Sequence, residues 1–353
     1  MMKRLAVAIA LAAISVAPAC GKKKEKDQPE PTAAKITDPA PTQPDTARPP
    51  QPPDPALIQA GAYIANVTGC VLCHTGMGPN GPDLANPFAG GLEVTEQMGP
   101  GVSFTWRAPN ITPDADTGIG SWTDEQIAAA VRIGVNHKGS KLAPIMPYYF
   151  YNAMSDDDVK ALIAFLRSQK PVSRQVLRLP PAREMAALPP PPAPSGTAWP
   201  AEKRGEYLAT LMHCSMCHTP FDAKTMMPDM KRAFAGGNPM KMPPQFKAVG
   251  TGVNFSANLT SDKETGLGAW SPEQIAAAIK TMTRPDGRMI GFPMAMYQTT
   301  WSQLTDEDAM AVAGYIKNIP AIRNKVPNST FKPGPAMEAM KAAHDGPGGP
   351  APK

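Results

Sequence analysis

Two copies of the pattern Cys-x-x-Cys-His, 144 residues apart, constrain this chain more than any other feature. They read C-V-L-C-H at 70–74 and C-S-M-C-H at 214–218. A longer unit repeats around them: G-A-Y-I-A with G-E-Y-L-A, F-A-G-G with F-A-G-G, and N-I-T with N-L-T. The offset between matching residues grows only from 144 to 150. The pattern predicts the duplication of one domain, with small insertions in loops, and not a solenoid of short repeats.

Proline-rich stretches separate the two copies from each other and from both ends of the chain, which holds 43 prolines in 353 residues. Such composition favours extended tethers that bury little apolar surface. The expected segments are a signal peptide at 1–19, a tether at 20–55, the first copy of the domain at 56–172, a linker at 173–200, the second copy at 201–326 and a disordered tail at 327–353.

The N-terminus has the features of a targeting segment. M-M-K-R precedes an apolar run at 5–17 that is too short for a comfortable membrane span, which indicates a cleaved secretory signal. The stretch V-A-P-A-C resembles a bacterial lipobox and would make Cys20 the lipidated first residue; the alternative is cleavage after Ala19 with a free thiol at Cys20. An exposed thiol is a liability in an oxidising compartment. We therefore expect a lipid-anchored protein on the periplasmic side of a bacterial membrane.

Both copies read as short helices joined by long loops. The last helix of the first copy is predicted to begin at Ser155, with Asp158 as its capping partner and apolar residues following at helical spacing. The same pattern begins at Thr305 in the second copy. Gly61 and Gly205 precede the cysteine pairs at positions where another helix can approach closely. No convincing alternation of strand residues is present, so the sequence predicts an all-α fold.

Three kinds of site contain a Cys-x-x-Cys pair. A redox disulfide of the thioredoxin kind follows a strand in a βαβ unit, which this sequence lacks, and a zinc site needs two further ligands nearby. Neither explains the histidine after each second cysteine. Covalent haem attachment explains all three residues, because the two thiols add to the haem vinyl groups and the histidine reaches the iron. The sequence thus predicts two haem c groups, held by Cys70, Cys73, Cys214 and Cys217 and ligated by His74 and His218.

The second axial ligand of each iron is predicted to be a methionine. Met146 and Met296 each lie nine residues before the N-cap of the last helix of their copy, so they are equivalent in the repeat. Met294 is an alternative to Met296. His137 is the one plausible distal histidine, and it has no counterpart in the second copy. A thioether ligand raises the reduction potential of haem iron.

These motifs resemble the class I cytochromes c, and more closely the cytochrome c subunits of membrane-bound alcohol and gluconate dehydrogenases. The resemblance rests on R-G-E-Y-L-A before C-S-M-C-H-T, on F-A-G-G, on N-L-T, on T-G-L-G-A-W-S-P-E-Q-I, and on M-P at 146–147. It implies two tandem class I cytochrome c domains joined by the Pro-rich linker. Two departures stand out: this chain has two haem motifs where those subunits commonly have three, and Met296 is followed by Tyr297 where the family usually has proline.

The expected function is electron transfer without catalysis by the chain itself. The protein would carry single electrons from a periplasmic or membrane donor, expected to be a dehydrogenase, to a downstream cytochrome or oxidase, either freely or as a subunit of a complex. A dihaem peroxidase is the alternative, and it would need one haem with an open distal side; the equivalent methionines argue against it. No interleaving of basic and aromatic residues suggests nucleic acid.

Overall fold

The computed structural model describes residues 54–78, 81–99, 102–177, 179, 199–222 and 227–345. The signal, lipid-anchor and tether predictions concern residues that lie outside this part of the chain, as does most of the predicted linker. We refer to the described residues up to 179 as the first half and to those from 199 as the second half. Among the described helices, none combines the length and apolar character needed to cross a membrane.

Helices of the first half recur in the same order in the second half. The first half contains α1 Pro55–Thr68, α2 Cys70–His74, α3 Asp124–Ile133, α4 Tyr148–Tyr151 and α5 Asp156–Arg167. The second half contains α6 Arg204–Leu211, α7 Cys214–His218, α8 Pro272–Thr281, α9 Gln298–Trp301 and α10 Asp306–Lys317. The predicted last helices are therefore confirmed as α5 and α10, and each begins where the side chain of Ser155 or Thr305 accepts a backbone hydrogen bond.

Short antiparallel hairpins fill some of the long loops. The strands are β1 Met77–Gly78, β2 Gly81–Pro82, β3 Glu93–Gly99, β4 Val102–Arg107, β5 Pro239–Lys241, β6 Gly250–Thr251, β7 Val253–Phe255 and β8 Lys332–Pro333. Strand β3 pairs with β4 in the longest of these hairpins. The expectation of an all-α chain missed this hairpin, because Val94 and Phe104 are the only large apolar residues buried among its described side chains. An alternation this brief is hard to recognise. The described fold is nonetheless rich in helix.

The segment after residue 326 is ordered as far as residue 345. Strand β8 pairs with β6, and α11 spans Pro335–Asp345 with Met337 and His344 buried. Thr283 Oγ1 lies 2.6 Å from His344 Nε2 and joins this helix to the loop after α8. The prediction of a disordered tail is therefore wrong for residues 327–345. Its Pro- and Gly-rich composition concealed one short helix whose apolar face is covered by packing.

The first residues of the predicted linker also lie on the protein body. Arg174 donates to the backbone oxygen of Gly90 at 3.2 Å and forms an ion pair with Asp83 at 2.6 Å. The backbone oxygen of Val172 accepts from Asn110 at 2.7 Å. Residues 172–174 therefore pack on the first half, just beyond the predicted domain end at 172.

Two glycines allow the first and last helices of each half to cross in contact. A Cβ atom added to Gly61 would lie 1.9 Å from the backbone oxygen of Ala161, and one added to Gly205 would lie 1.9 Å from that of Ala311. These distances are far inside van der Waals contact, so no other residue fits without moving the backbone of α5 or α10. The predicted role of the two glycines is confirmed.

The two halves are joined by hydrogen bonds that repeat in a reciprocal arrangement. The Tyr63 hydroxyl of α1 donates to Asp308 of α10, and the Tyr207 hydroxyl of α6 donates to Asp158 of α5. Arg204 adds two hydrogen bonds of 2.8 Å to Asp308, without an equivalent pair at Asp158 among the described contacts. Burial acts to raise the pKa of Asp308, but the hydrogen bonds from Arg204 and Tyr63 outweigh it and hold that pKa below its usual value. The carboxylate is charged at neutral pH.

Removing the Tyr63 hydroxyl should loosen the contact between the halves. In Tyr63→Phe the carboxylate of Asp308, whose side chain is 10% exposed, loses one donor and keeps its burial. We expect the free energy of unfolding to fall by about 1–2 kcal/mol, as for other buried groups that lose a hydrogen-bond partner. Urea unfolding followed by circular dichroism measures the change. The control is Tyr315→Phe, whose ring packs on Phe234 inside the second half; an equal loss in both variants would contradict the assignment.

Candidate haem-attachment sites

Each Cys-x-x-Cys-His motif forms one turn of helix. Helix α2 contains Cys70 and Cys73, and α7 contains Cys214 and Cys217, in both cases three residues apart and thus on one helix face. The residue before each helix has left-handed backbone geometry, with φ of 69° at Gly69 and 46° at His213. This sharp turn directs the chain from the preceding helix into the motif. The two cysteines of each motif therefore lie on one face of a single helical turn, an arrangement that suits attachment of both to one haem.

Both predicted proximal histidines are buried and held in one orientation. His74 is 7% exposed, and its Nδ1 lies 2.9 Å from the backbone oxygen of Pro109. His218 is 6% exposed, and its Nδ1 lies 2.7 Å from the backbone oxygen of Ala257. A proton on Nδ1 that is donated to a carbonyl leaves the Nε2 lone pair for a metal, which is the usual arrangement around a histidine ligand.

The electrostatics of these histidines also suit metal binding. Burial lowers the pKa of His74 and of His218, and the backbone hydrogen bond opposes this effect only in part. Both rings are therefore neutral at neutral pH. Neutral imidazole is the form that ligates iron, because a protonated Nε2 has no lone pair to donate.

The repeated F-A-G-G segment is hydrogen-bonded to the backbone of each motif histidine. The backbone nitrogen of Gly90 donates to the backbone oxygen of His74 at 2.7 Å, and Gly236 does the same for His218 at 2.7 Å. At Gly90 φ is 69°, and an added Cβ would lie 2.4 Å from the carbonyl carbon of Pro109. Glycine is thus required where the loop that accepts the Nδ1 hydrogen bond crosses the motif.

The Asn-x-Thr segments hold the accepting carbonyls in place, a role that the sequence alone did not reveal. The side-chain oxygen of Asn110 accepts from the backbone nitrogen of Thr112 at 2.9 Å, and Asn258 accepts equivalently from Thr260 at 3.0 Å. Each asparagine directly follows the residue whose carbonyl binds histidine Nδ1. The recurrence of N-I-T and N-L-T was the one sequence signal for this role. The carbonyls that accept from the histidines are backbone groups, so residue type does not reveal them.

The predicted methionine ligands occupy equivalent regions, and the second has two candidates. Met146 packs against the hydrophobic core, as does Met294. The backbone bond from Leu142 to Gly134 matches the bond from Ile290 to Met282, an offset of 148, whereas α4 and α9 match at 150. Two residues are thus inserted between these landmarks. Counted from the loop bonds, with the offset of 148, Met294 is equivalent to Met146. Counted from α4 and α9, with the offset of 150, Met296 is equivalent to Met146.

His137, the other candidate for a distal ligand, lies against an aromatic ring. Its ring centroid is 4.3 Å from that of Trp122, at an interplanar angle of 40°. Packing on Trp122 therefore explains why this histidine is half-buried. In the second half, the equivalent loop contains Arg284, Asp286 and Gly287 without a histidine.

The arrangement fits haem c in the chemistry of its donors. Adjacent thiols supply two thioether bonds, and a buried neutral imidazole with Nε2 available supplies a nitrogen ligand. The bound group would supply one-electron chemistry at its iron. The chain's own part is to fix the imidazole by its Nδ1 hydrogen bond and to keep water away from it.

Comparison with known proteins agrees with this geometry. A family model described as cytochrome c matches residues 58–170. The cytochrome c subunit of a quinone-dependent alcohol dehydrogenase from Gluconobacter oxydans is 32% identical over 76% of this chain and 56% of its own length. The gluconate 2-dehydrogenase cytochrome c subunit of Pantoea cypripedii is 31% identical over 75% and 60%. A diheme cytochrome c-type protein of Cereibacter sphaeroides is 33% identical over 74% of this chain and 86% of its own length.

This chain therefore belongs to the cytochrome c family, and haem c is its covalently bound cofactor. It spans somewhat more than half the length of the dehydrogenase subunits to which it is similar. Two of these relatives are named as cytochrome c subunits of dehydrogenases and the third as a diheme cytochrome, which supports electron transfer and gives no support to the peroxidase alternative.

Proposed function

We propose that this protein is a dihaem electron carrier built from two tandem class I cytochrome c domains joined by a Pro-rich linker. The observation that carries the proposal is the same in both halves: a buried histidine directly follows a pair of cysteines on one helical turn, and its Nδ1 is bound to a backbone carbonyl. His74 would hold the first iron and His218 the second. Nothing in the arrangement needs a catalytic side chain, so we propose a carrier and not an enzyme.

The proposed electron donor is a dehydrogenase, and the proposed acceptor is a downstream cytochrome or oxidase. The names of the relatives support the donor, since the Gluconobacter and Pantoea proteins are subunits of dehydrogenases. We further propose a lipid anchor at Cys20 on the periplasmic side of a bacterial membrane. The predicted domains differ in charge: residues 56–172 hold seven Lys and Arg against ten Asp and Glu, and residues 201–326 hold fourteen against eleven. Opposite charge allows the two domains to bind different partners.

Stopped-flow reduction tests the carrier function directly. The purified full-length protein is mixed with a one-electron donor such as ascorbate with a mediator, and haem absorbance is followed; a small oxidised c-type cytochrome is then added. We expect full reduction of both haems and rapid reoxidation by the acceptor. Turnover of hydrogen peroxide at rates comparable with electron donation would instead favour a peroxidase, and haem that resists both donor and acceptor would contradict the proposal.

Thioether ligation by Met146 and Met296 is the proposed second bond of each iron. Met146→Ala should abolish the long-wavelength absorption band of methionine-ligated ferric haem for one haem, and should lower one reduction potential by about 0.1–0.2 V, a part of the roughly 0.8 V range set by axial ligands. Met296→Ala and Met294→Ala are compared for the second haem. The variant that loses the remaining band identifies the ligand; Met154→Leu, a fully buried methionine elsewhere in the core, is the control and should keep both bands.

A further inference from the structure

Two rings lie between the cysteine motifs, and the proposed function so far gives them no role. The Cε1 atom of Tyr297 is 3.2 Å from the position that a Cβ would take on Gly69, the residue before Cys70. The same tyrosine meets His213 at a ring-centroid distance of 5.9 Å, in an edge-on arrangement. His213 directly precedes Cys214. The contact between the two motifs therefore passes through Tyr297 and His213.

The tyrosine ring is held by a tryptophan that spans the two halves. Tyr297 stacks on Trp301 with centroids 4.2 Å apart and an interplanar angle of 20°. Trp301 is 3% exposed, and its indole nitrogen donates to the backbone oxygen of Val67 at 3.1 Å. Because Val67 lies in α1, close before the first cysteine pair, this hydrogen bond fixes the tyrosine from the second half onto the first motif.

The histidine ring is enclosed by aromatic side chains of both halves. Phe150 and Tyr151 of the first half each lie with their centroids 6.4 Å from that of His213. Tyr297 of the second half completes the contact. Burial lowers the pKa of His213 to about 4, so the ring is neutral at neutral pH. It is packed as an aromatic ring and carries no charge into the space between the motifs.

Counted from the motif and from α9, the two rings occupy positions where the first half has no aromatic residue. The equivalent of His213 is Gly69, and the equivalent of Tyr297, counted from α9, is Pro147. At His213 the left-handed backbone, with φ of 46°, is less favourable than it would be for a glycine, because the Cβ crowds the following carbonyl oxygen. Strain of this kind persists where the surroundings impose it, and it often marks a functional position. Folding alone would favour glycine here, as in the first half.

Burial raises the pKa of Tyr297, so the phenol keeps its proton at neutral pH.

We propose that Tyr297 and His213 form a ring bridge that couples the two haems electronically, and this inference rests on the proposed dihaem function. One electron leaves ferrous iron in one half and reduces ferric iron in the other, so one iron is oxidised and one reduced. Tyr297 and His213 keep their oxidation states and protons throughout, since they serve only as an aromatic medium between donor and acceptor. No additional oxidant or reductant is needed.

Pulse radiolysis of the full holoprotein tests the bridge. A pulse that delivers less than one electron per molecule reduces one haem, and the later redistribution between haems is followed by absorbance. Tyr297→Leu and His213→Gly should slow this redistribution by roughly tenfold, whereas Tyr297→Phe, which keeps the ring, should stay within about twofold. Tyr149→Leu, which removes a ring stacked on Tyr148 instead, is the matched control.

Two structural measurements distinguish a loss of electronic coupling from a change in the distance between the haems. Haem content should remain two per chain in every variant, and the distance between ferric irons measured by pulsed electron paramagnetic resonance should not change. Slow redistribution at unchanged spacing supports the bridge. An unchanged rate in Tyr297→Leu, or a slower rate accompanied by a longer spacing, overturns it while the carrier function stands. Fewer than two haems in the unaltered protein would instead overturn the proposed function itself.

Discussion

The double variant Cys214→Ala with Cys217→Ala is expected to bind one haem in place of two and to lose stable structure in its second half. Helix α7 is a single turn of five residues, far below the length at which a helix is stable alone in water. Its order depends on packing, and the covalent macrocycle is the largest apolar group available to it. The variant tests whether the folded structure of the second half depends on the bound haem, or whether this half folds without it.

Haem absorbance per polypeptide and circular dichroism at rising temperature measure the outcome. We expect half the haem absorbance and an early transition that involves the second half, followed by a later one for the first. The corresponding variant of the first motif, Cys70→Ala with Cys73→Ala, should also lose half the haem absorbance, with the early transition now in the first half. The control Cys20→Ser lies outside both motifs and should keep both haems. Two haems in the double variant would show that these thiols are not the attachment points.

Replacing Gly205 by alanine should strongly destabilise the protein, although the substitution adds only a single methyl group. The added Cβ would lie 1.9 Å from the backbone oxygen of Ala311 in helix α10. This atom belongs to the helix backbone and cannot rotate away as the end of a side chain could. The two helices must separate. Overpacking of a tight contact costs about 1–3 kcal/mol, and a backbone clash of this size belongs at the upper end. Chemical denaturation of the holoprotein provides the measurement.

Gly314→Ala is the matched control for this substitution. It lies within the same helix, α10, and an added Cβ would meet no atom within 4 Å. Alanine there improves helix propensity, so we expect stability to be unchanged or higher by up to about 1 kcal/mol. Equal effects at positions 205 and 314 would mean that the close helix crossing does not determine stability.

The repeat and its motifs made much of this fold predictable. The capped helices follow from local signals: Thr123 and Gln126 form a complete capping box at α3, and Ser271 and Gln274 form another at α8. The glycines at the helix crossings were also predictable, since a glycine before each motif has few other uses. The candidate haem-binding cysteines and histidines were proposed from spacing alone, because attachment chemistry dictates that spacing.

Other features depended on packing between distant segments and gave no local signal. Few of the described side chains in the hairpin of β3 and β4 are buried, and the helix α11 lies in a Pro- and Gly-rich segment and packs on the rest of the second half through Met337 and His344. The reciprocal bonds from Tyr63 and Tyr207 join residues 245 and 49 positions apart. Sequence spacing within one repeat cannot show which groups meet across two. The same holds for Tyr297 and Gly69.

Quantitative haem analysis of the unaltered mature protein, combined with a spectroscopic redox titration, is the most direct test of the central claim. If each half holds iron through a carbonyl-bound histidine, the chain contains two thioether-linked haems, and both accept and release one electron reversibly. A single haem per chain, or a second haem that can be extracted without breaking covalent bonds, would contradict the account.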